Sequence, residues 1–177
     1  FLDVQACAGR SDTMTATQFT SYDMRLRLVK PDADFTGVLT LIRDAFAYMD
    51  GIVDPPSSMH SLSVTDLMTF ADQGEVWVIE SSAEVIACMV LTPRNDALYL
   101  GKLAVHEDFR GLGLARRMVE AAEASARRCA MKYLELQTRV ELSRNQNIFI
   151  AMGFAEAGRA RHSGYNRDTS ITYRKAV

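Results

Sequence analysis

The sequence predicts a single α+β domain built on a mixed β-sheet. Three strand-like segments, at residues 75–80, 84–91 and 97–105, follow one another with short turns between them, which indicates an antiparallel meander. The longest helical pattern, at residues 111–129, comes directly after this meander and carries an apolar stripe along one face. Strands grouped together, with helices before and after them, are typical of the α+β class.

The N-terminal half is predicted to contain one strand and two helices ahead of the meander. Residues 24–30 alternate apolar and basic side chains, which is the period of a half-buried strand. A helix with an apolar stripe is predicted to begin at a cap at Asp32. A loop rich in Gly, Pro and Ser at residues 50–60 separates it from a second helix at 61–72, which ends at Gly74.

The C-terminal half is predicted to add a strand, a helix and a hairpin after the longest helix. Residues 131–138 have the pattern of a strand. Ser143 is predicted to begin a helix, with Gln146 as the other half of a capping box and Gly153 as its stop. Two short strands follow around a turn at residues 163–164. The complete order therefore predicts about seven strands, mostly antiparallel, and about four helices.

Length, charge and composition restrict the class of protein. We expect a single domain at residues 23–177, with the polar and aperiodic residues 1–22 as a flexible N-terminal arm. A net charge of -2 offers no electrostatic attraction to nucleic acid or to an anionic membrane. No apolar run approaches the roughly 18 residues of a membrane helix, and the start lacks a signal-peptide pattern. Three scattered cysteines without metal-ligand spacing favour reduced thiols in a cytoplasmic protein without a metal site.

One segment, AVHEDFRGLGLARR at residues 104–117, carries a chemical signal. Its strand is predicted to end near Val105, and Gly111 and Gly113 stand where the longest helix begins. A helix N-terminus presents unpaired N–H groups and the positive end of the helix dipole, so it binds anions. Glycines allow phosphate oxygens to approach that backbone closely. The segment therefore predicts a phosphate or pyrophosphate site and leaves the bound molecule open.

Three phosphate-binding motifs are candidates for this segment. A Walker loop requires Gly-Lys-Ser/Thr, which is excluded because Leu114 and Ala115 follow Gly113. The dinucleotide fingerprint GxGxxG is a poor match, because Arg116 occupies the place of its third glycine. The third motif, Arg/Gln-x-x-Gly-x-Gly/Ala, matches at Arg110, Gly113 and Ala115.

With this match the sequence resembles the GNAT superfamily of acyl-CoA-dependent N-acetyltransferases. The stretch LYLGKLAVHEDFRGLGLARRMVEAAE resembles the family's central strand, pyrophosphate turn and helix, in that order. The stretch ELSRNQNIFIAMGF resembles its later helix, which commonly ends in a Gly-Phe or Gly-Tyr pair. The resemblance implies a GNAT-like sheet whose two central parallel strands splay apart. It also implies an enzyme that transfers an acetyl group from acetyl-CoA to a primary amine by direct attack in a ternary complex.

The resemblance further implies roles for individual residues. Pantetheine would lie along the central strand, on the main chain of Leu103 and Val105, where an N–H could also polarise the thioester carbonyl. The main-chain amides from Arg110 to Arg116 would bind the pyrophosphate, and the Asn145 side chain would reach the pantetheine arm. The implied cofactor-binding residues are Leu103, Ala104, Val105, Arg110, Gly111, Leu112, Gly113, Leu114, Ala115, Arg116, Asn145 and Phe149.

The catalytic acid and base are less directly implied. Many family members carry a tyrosine four residues before the Gly-Phe pair, where it can protonate the departing thiolate of CoA. Phe149 stands at this place and has no proton to give, so Tyr165 or water is the expected acid. An ammonium acceptor must lose a proton before it attacks. Glu141, just past the strand at 131–138, is the expected base, and Glu135 within that strand is a less favoured candidate.

The acceptor and the assembly state stay open. The loop at 50–60 and the turn at 163–164 would determine the acceptor, which could be a small amine, an amino acid, an antibiotic or a protein N-terminus. No nucleic acid or membrane partner is expected, and the chain could form a homodimer. A non-catalytic acyl-CoA sensor is the alternative function, favoured by Phe149 in the tyrosine's place. A nucleotide-binding module is disfavoured by the failed Walker and dinucleotide patterns.

Overall fold

A computed structural model describes residues 23–177 of the chain, and the predicted arm at residues 1–22 lies outside the described part. The strands are β1 (Arg25–Val29), β2 (Glu75–Ser81), β3 (Glu84–Arg94), β4 (Ala97–Val105), β5 (Tyr133–Arg139), β6 (Ala155–Ala160) and β7 (Ser170–Ala176). The α-helices are α1 (Thr36–Phe46), α2 (Val64–Gln73), α3 (Leu114–Arg128) and α4 (Ser143–Ala151). Short 3-10 turns occur at Ala47–Met49, Ser58–Ser61 and Glu107–Phe109.

The strands form one seven-stranded sheet in the order β1-β2-β3-β4-β5-β7-β6. β4 and β5 run parallel, whereas the other neighbouring pairs are antiparallel. The chain passes from β4 to β5 through α3, as a parallel pair requires, because a crossover connection must span the length of the sheet. Short turns join β2, β3 and β4 in the predicted meander. The α+β class and the mixed, mostly antiparallel sheet are thus confirmed.

The two central parallel strands separate partway along their length. Their pairing begins with Ala97 opposite Tyr133 and ends with Tyr99 opposite Glu135. Beyond that point β4 and β5 continue without pairing to each other within the described residues. The predicted splay is therefore confirmed, and main-chain groups of β4 face a gap instead of a neighbouring strand.

A β-bulge lies in the part of β4 that borders this splay. Two residues of β4, Lys102 and Leu103, face the single residue Met89 of β3. Lys102 has a left-handed φ of +52°, which is uncommon for a residue other than glycine. Its carbonyl oxygen accepts a hydrogen bond from the buried Cys88 thiol at 3.7 Å. Because a bulge bends its strand and increases the local twist, it diverts the second half of β4 from the line of β5.

The sheet separates two apolar cores, because successive residues of a strand point to opposite faces. On one face α1 and α2 cover a core that includes Cys88 and Ala104. On the other face α3 covers a core that includes Met89, Leu103 and, from α4, Phe149. β3 and β4 are therefore buried on both faces, which explains their nearly continuous apolar sequence.

Three helices begin later than their sequence patterns predict. The second helix, predicted at 61–72, is α2 and begins at Val64, because the Ser63 side chain caps its start. α1 begins at Thr36, and the predicted cap at Asp32 is wrong, because the Thr36 N–H donates to Asp34 Oδ1 at 2.8 Å. α3 begins at Leu114 instead of residue 111. Gly113 explains this delay, since its φ of +77° lies outside the range of an α-helix.

The predicted capping box of α4 is also wrong. α4 does begin at Ser143, but within the described part no side chain caps its start. Gln146 Nε2 instead donates to the carbonyl oxygens of Arg139 and Val140, both at 3.1 Å. Gln146 therefore ties α4 to the end of β5 and fixes the path of the chain beside the splay.

Substitutions at Lys102 test the bulge. A left-handed backbone costs an L-residue about 1–2 kcal/mol, while Asn adopts it more readily and β-branched residues resist it. We expect Lys102→Val to lower the free energy of unfolding by about 1–2 kcal/mol relative to Lys102→Asn. Both variants lose the same amine, so urea denaturation isolates the backbone effect. Equal stability of the two variants would contradict a left-handed residue at this position.

Candidate active site

The turn between β4 and α3 contains two glycines in the left-handed region. Gly111 has a φ of +79° and Gly113, which directly precedes α3, has a φ of +77°. A Cβ built on either glycine meets no heavy atom within 4 Å among the described residues beyond its chain neighbours. The glycines therefore serve the backbone conformation. They leave the N–H groups at the start of α3 accessible to an anion.

A cleft of about 220 Å³ lies over the N-terminus of α3. Its lining residues are Val105, Phe109, Arg110, Gly111, Gly113, Leu114, Ala115, Arg116 and Met152. All but Phe109 and Met152 belong to the predicted cofactor-binding set. These two were missed because neither belongs to the phosphate motif. Leu112, also predicted, lies at the exposed tip of the turn. The cleft thus combines anion-binding backbone with apolar surface.

The end of β4 offers its main chain, and not its side chains, to the splay. Leu103, Ala104 and Val105 are buried, and their side chains belong to the two cores. One edge of this segment pairs with β3. The opposite edge has no β5 partner within the part of the chain that the structure describes. An extended ligand placed along this edge would meet main-chain hydrogen-bonding groups, as an added strand does.

Two further residues of the predicted cofactor-binding set, Asn145 and Phe149, do not line the cleft. Asn145, in the first turn of α4, is 3% exposed, and its Nδ2 donates to Tyr48 Oη at 3.2 Å. This contact joins α4 to the segment that follows α1. Phe149 is fully buried, with ring centroids 5.9 Å from Phe154 and 6.5 Å from Tyr173. Phe149 is therefore part of the core beneath α4.

A charged cluster forms where β5 ends, and we call it the β5-end cluster: Asp54, Arg139, Glu141, Tyr165 and Arg167. Arg167 Nη1 donates to Glu141 Oε1 at 3.1 Å, and Arg167 Nη2 donates to Asp54 Oδ2 at 3.3 Å. The Tyr165 hydroxyl donates to Asp54 Oδ1, and this hydrogen bond raises the pKa of Tyr165. The cluster therefore brings together the loop after α1, the end of β5 and the loop between β6 and β7.

Several buried polar atoms at the end of β5 lack hydrogen-bond partners among the described residues. They are Thr138 Oγ1, Arg139 Nε and Glu141 Oε2. The last two lie 3.7 Å apart, within the range of an ion pair but too far for a good hydrogen bond. Buried polar groups without partners are rare in folded proteins. Three such atoms lie within four residues beside the splay.

Sequence reasoning identified only part of the β5-end cluster. Glu141 and Tyr165 were predicted, whereas Asp54, Arg139 and Arg167 were missed. The loop content at residues 50–60 was a signal for Asp54, but nothing in the strand pattern distinguishes Arg139 from a surface arginine. Glu135, the less favoured base, accepts a hydrogen bond from Arg174 Nε at 2.8 Å and lies outside the cluster.

The described cysteines show which chemistry is available to them. Cys88 and Cys129 are free thiols, and burial raises the pKa of Cys88 to about 12. Cys88 is therefore protonated and unreactive at neutral pH. Cys129 directly follows the last residue of α3, at the opposite end of that helix from the cleft.

Within residues 23–177, no cluster of His, Cys, Asp and Glu is placed to hold a metal ion. The same residues contain no helix long and apolar enough to cross a membrane.

Known proteins resemble this chain in sequence over its central part. A profile of the Acetyltransferase (GNAT) family matches residues 39–154, which run from within α1 through the glycine turn to just beyond α4. N-alpha-acetyltransferase 30 from Saccharomyces cerevisiae is 38% identical over 71 residues. That alignment covers 39% of this chain and 40% of the yeast protein.

Solved structures resemble the chain over most of its length. A GNAT family acetyltransferase from Elizabethkingia anophelis, solved with acetyl-CoA bound, has a TM-score of 0.63 and 15% identity, covering 87% of this chain and 98% of its own. An acetyltransferase from Streptococcus agalactiae 2603 has a TM-score of 0.68 and 18% identity over the same shares. At these identities the likeness shows the fold.

Proposed function

The chain belongs to the acetyltransferase (GNAT) family, and we propose that it transfers an acetyl group from acetyl-CoA to a primary amine by direct attack in a ternary complex. The observation that carries this proposal is the arrangement of three features around the splay. The glycine turn, the cleft and the β5-end cluster all lie at the end where β4 and β5 separate. The Elizabethkingia structure with acetyl-CoA bound supports acetyl-CoA as the co-substrate.

The residues around the cleft fit the parts of acetyl-CoA. The N–H groups at the start of α3 and the exposed Arg116 suit the pyrophosphate. The unpaired edge of β4 from Leu103 to Val105 suits the amides of pantetheine, and Asn145 suits the far side of the same arm. The co-substrate supplies the acetyl thioester, and this chain would supply a main-chain N–H that polarises its carbonyl.

Direct attack, without an acetylated cysteine, is supported by the positions of the described thiols. A covalent route requires a reactive thiolate beside the acetyl group. The pKa of about 12 keeps Cys88 protonated, and its thiol is engaged with the Lys102 carbonyl oxygen. Cys129 lies about 22 Å from the cleft, the length of the 15-residue helix α3. The amine would therefore attack the thioester itself.

Glu141 is the proposed general base. Its Oε1 accepts a hydrogen bond from Arg167, while its buried Oε2 has no hydrogen-bond partner in the described part of the chain. The Glu141 side chain is 20% exposed, so its carboxylate can be reached by the acceptor and can take up the proton of the attacking ammonium. Glu135 is less suited, because its contacts with Arg94 and Arg174 hold it away from the β5-end cluster.

Tyr165 is the proposed general acid. A tyrosine phenol has an ordinary pKa of about 10 and is protonated at neutral pH, so Tyr165 has a proton to give to the departing thiolate. Phe149, at the place of the family's usual tyrosine, has no such proton and is packed in the core. Tyr165 reaches the same end of the sheet from the loop between β6 and β7, through its contact with Asp54.

An α-amine, as in a peptide or an amino acid, is the first acceptor to test. The yeast relative is by name an N-alpha-acetyltransferase, although its alignment spans less than half of either chain. Asp54 and Glu141 place carboxylates at the β5-end cluster, where each is paired with Arg167. We place the reaction in the cytoplasm, in accord with the free thiols of Cys88 and Cys129.

Ligand binding and turnover test this function directly. A ligand held by the native state alone adds about 2.7 kcal/mol of stability at 100 times its Kd. We expect acetyl-CoA to raise the melting temperature far more than ATP or NAD does. With a panel of peptide amines and small amines, the enzyme should then release CoA. This release is measured by chromatography, because the exposed Cys129 would react with a thiol reagent. Binding of acetyl-CoA without any CoA release would instead indicate an acyl-CoA sensor.

Gly113→Val tests the glycine turn. The new side chain would enter the open space over the N-terminus of α3 and would disfavour the left-handed φ. We expect the Kd for acetyl-CoA to rise by at least tenfold, about 1.4 kcal/mol, measured by titration calorimetry. Gly51→Val is the matched control, because Gly51 has a φ of +75° and equally open surroundings in another loop. Equal effects of the two variants on Kd would contradict the proposed site.

Tyr165→Phe and Phe149→Tyr together test the acid. A well-placed general acid contributes about 10²–10⁴-fold, so Tyr165→Phe should lower kcat strongly while the Kd for acetyl-CoA stays unchanged. Phe149→Tyr should leave kcat nearly unchanged, since its hydroxyl would be added inside the core. Tyr133→Phe, at the far end of β5, serves as the control. A higher kcat for Phe149→Tyr, with normal turnover by Tyr165→Phe, would reverse the assignment.

A further inference from the structure

Arg139, the last residue of β5, is a buried cation. Its side chain is 2% exposed, and desolvation by this burial lowers the pKa of Arg139. Guanidinium nevertheless stays charged at neutral pH. Removing such a charge from water is costly unless nearby groups compensate for it. Arg139 Nη2 donates to the Pro55 carbonyl oxygen at 2.8 Å, and Arg139 Nε lies 3.7 Å from Glu141 Oε2.

A comparison with Arg174 shows what a purely structural arginine on this sheet looks like. Arg174 of β7 lies directly opposite Glu135 of β5. Its Nε donates to Glu135 Oε2 at 2.8 Å, and its Nη2 lies 2.7 Å from the same oxygen. That ion pair is complete, with Arg174 36% exposed and Glu135 11% exposed. Arg139 is instead nearly fully buried, and its contact with Glu141 is incomplete. Stability alone does not explain a buried charge held in this way.

The backbone around Arg139 is held firmly, which gives its side chain a defined direction. Arg139 pairs with Ser170 of β7, and Gln146 Nε2 donates to the Arg139 carbonyl oxygen. The guanidinium therefore extends from a fixed point toward the loop after α1 on one side and toward Glu141 on the other.

The two oxygens of Glu141 have different arginine neighbours. Arg167, 45% exposed, donates to Oε1 from the solvent side. Arg139 approaches Oε2 from the buried side. Arg167 also donates a hydrogen bond to Asp54, and the Tyr165 hydroxyl donates one to the same carboxylate. An exposed ion pair is screened by water and contributes little. The contact with Arg139 is longer but is shielded from water, so it also constrains where the Glu141 carboxylate lies.

We propose that Arg139 is a positioning residue, which holds the buried Oε2 of Glu141 and the loop at Pro55 so that the Glu141 carboxylate faces the amine of the acceptor. This inference rests on the proposed function, in which Glu141 is the base. Arg139 itself contacts neither acceptor nor co-substrate in this role. It acts through Glu141 and through the Pro55 carbonyl oxygen, which borders the same cluster.

Arg139→Gln, measured on the full chain at saturating acetyl-CoA, tests the role. Misplacing a reacting group by about 1 Å can cost about 10²-fold in rate, so we expect kcat to fall by up to that factor. The Kd for acetyl-CoA should change less than twofold, because the glycine turn is untouched. Arg139→Lys keeps a charge near Pro55 and Glu141 and should have a kcat between wild type and Arg139→Gln. Arg174→Gln, the matched control, should leave kcat unchanged.

A double-mutant cycle with Glu141→Gln separates positioning from a general structural effect. If Arg139 acts through Glu141, the double variant will be no slower than Glu141→Gln alone. The inference would be overturned if the loss in kcat of the double variant equalled the product of the two single losses. It would also be overturned if Arg139→Gln had the kcat of the wild type. If Arg139→Gln does not fold, Arg139→Lys decides in the same way: a lowered kcat with unchanged Kd supports positioning, and wild-type kcat overturns it. A wild-type chain that acetylates no amine would instead refute the proposed function.

Discussion

The separation of β4 from β5 is the constraint on which the candidate site depends. The two strands pair only from Ala97 to Tyr99 and from Tyr133 to Glu135 within the described residues. Pairing along their full length would consume the main-chain groups of β4 and close the gap. The bulge at Lys102 diverts β4 and requires a left-handed residue there. This backbone cost lies where an extended ligand would add its own hydrogen bonds, a common place for such strain.

The two strands that border the splay, β4 and β5, are each held by a strand on the side away from the splay. β4 is paired to β3 and buried between two cores. β5 is paired to β7 as far as Arg139, and Gln146 of α4 binds the carbonyl oxygens that follow. β4 and β5 therefore do not depend on pairing with each other for their positions, and the splay is compatible with a stable sheet.

Two carboxylates show how polar groups for stability differ from those at the candidate site. Glu75 accepts hydrogen bonds from Trp77, Ser125 and Arg128 and thereby joins β2 to α3. Desolvation opposes its ionisation, but these hydrogen bonds outweigh it and lower the pKa of Glu75. Glu141, in contrast, keeps one buried oxygen without a hydrogen-bond partner in the described structure. A complete network of this kind stabilises the fold, whereas the network around Glu141 is incomplete among the described residues.

The sequence by itself determined the features that depend on neighbouring residues. Period, turn composition and the glycine motif predicted the α+β class, the order of elements and the glycine turn before α3, because their physical causes lie within a few residues. Tertiary structure alone decided the rest. Tyr165 and Asp54 meet across 111 residues of sequence, and Gln146 binds the end of β5 instead of capping its own helix. Glu135 and Arg139 are both charged residues of one strand, yet Glu135 joins a partly exposed ion pair and Arg139 is buried beside Glu141. Which neighbours a charged side chain meets depends on strand pairing and packing, and local sequence carries no record of either.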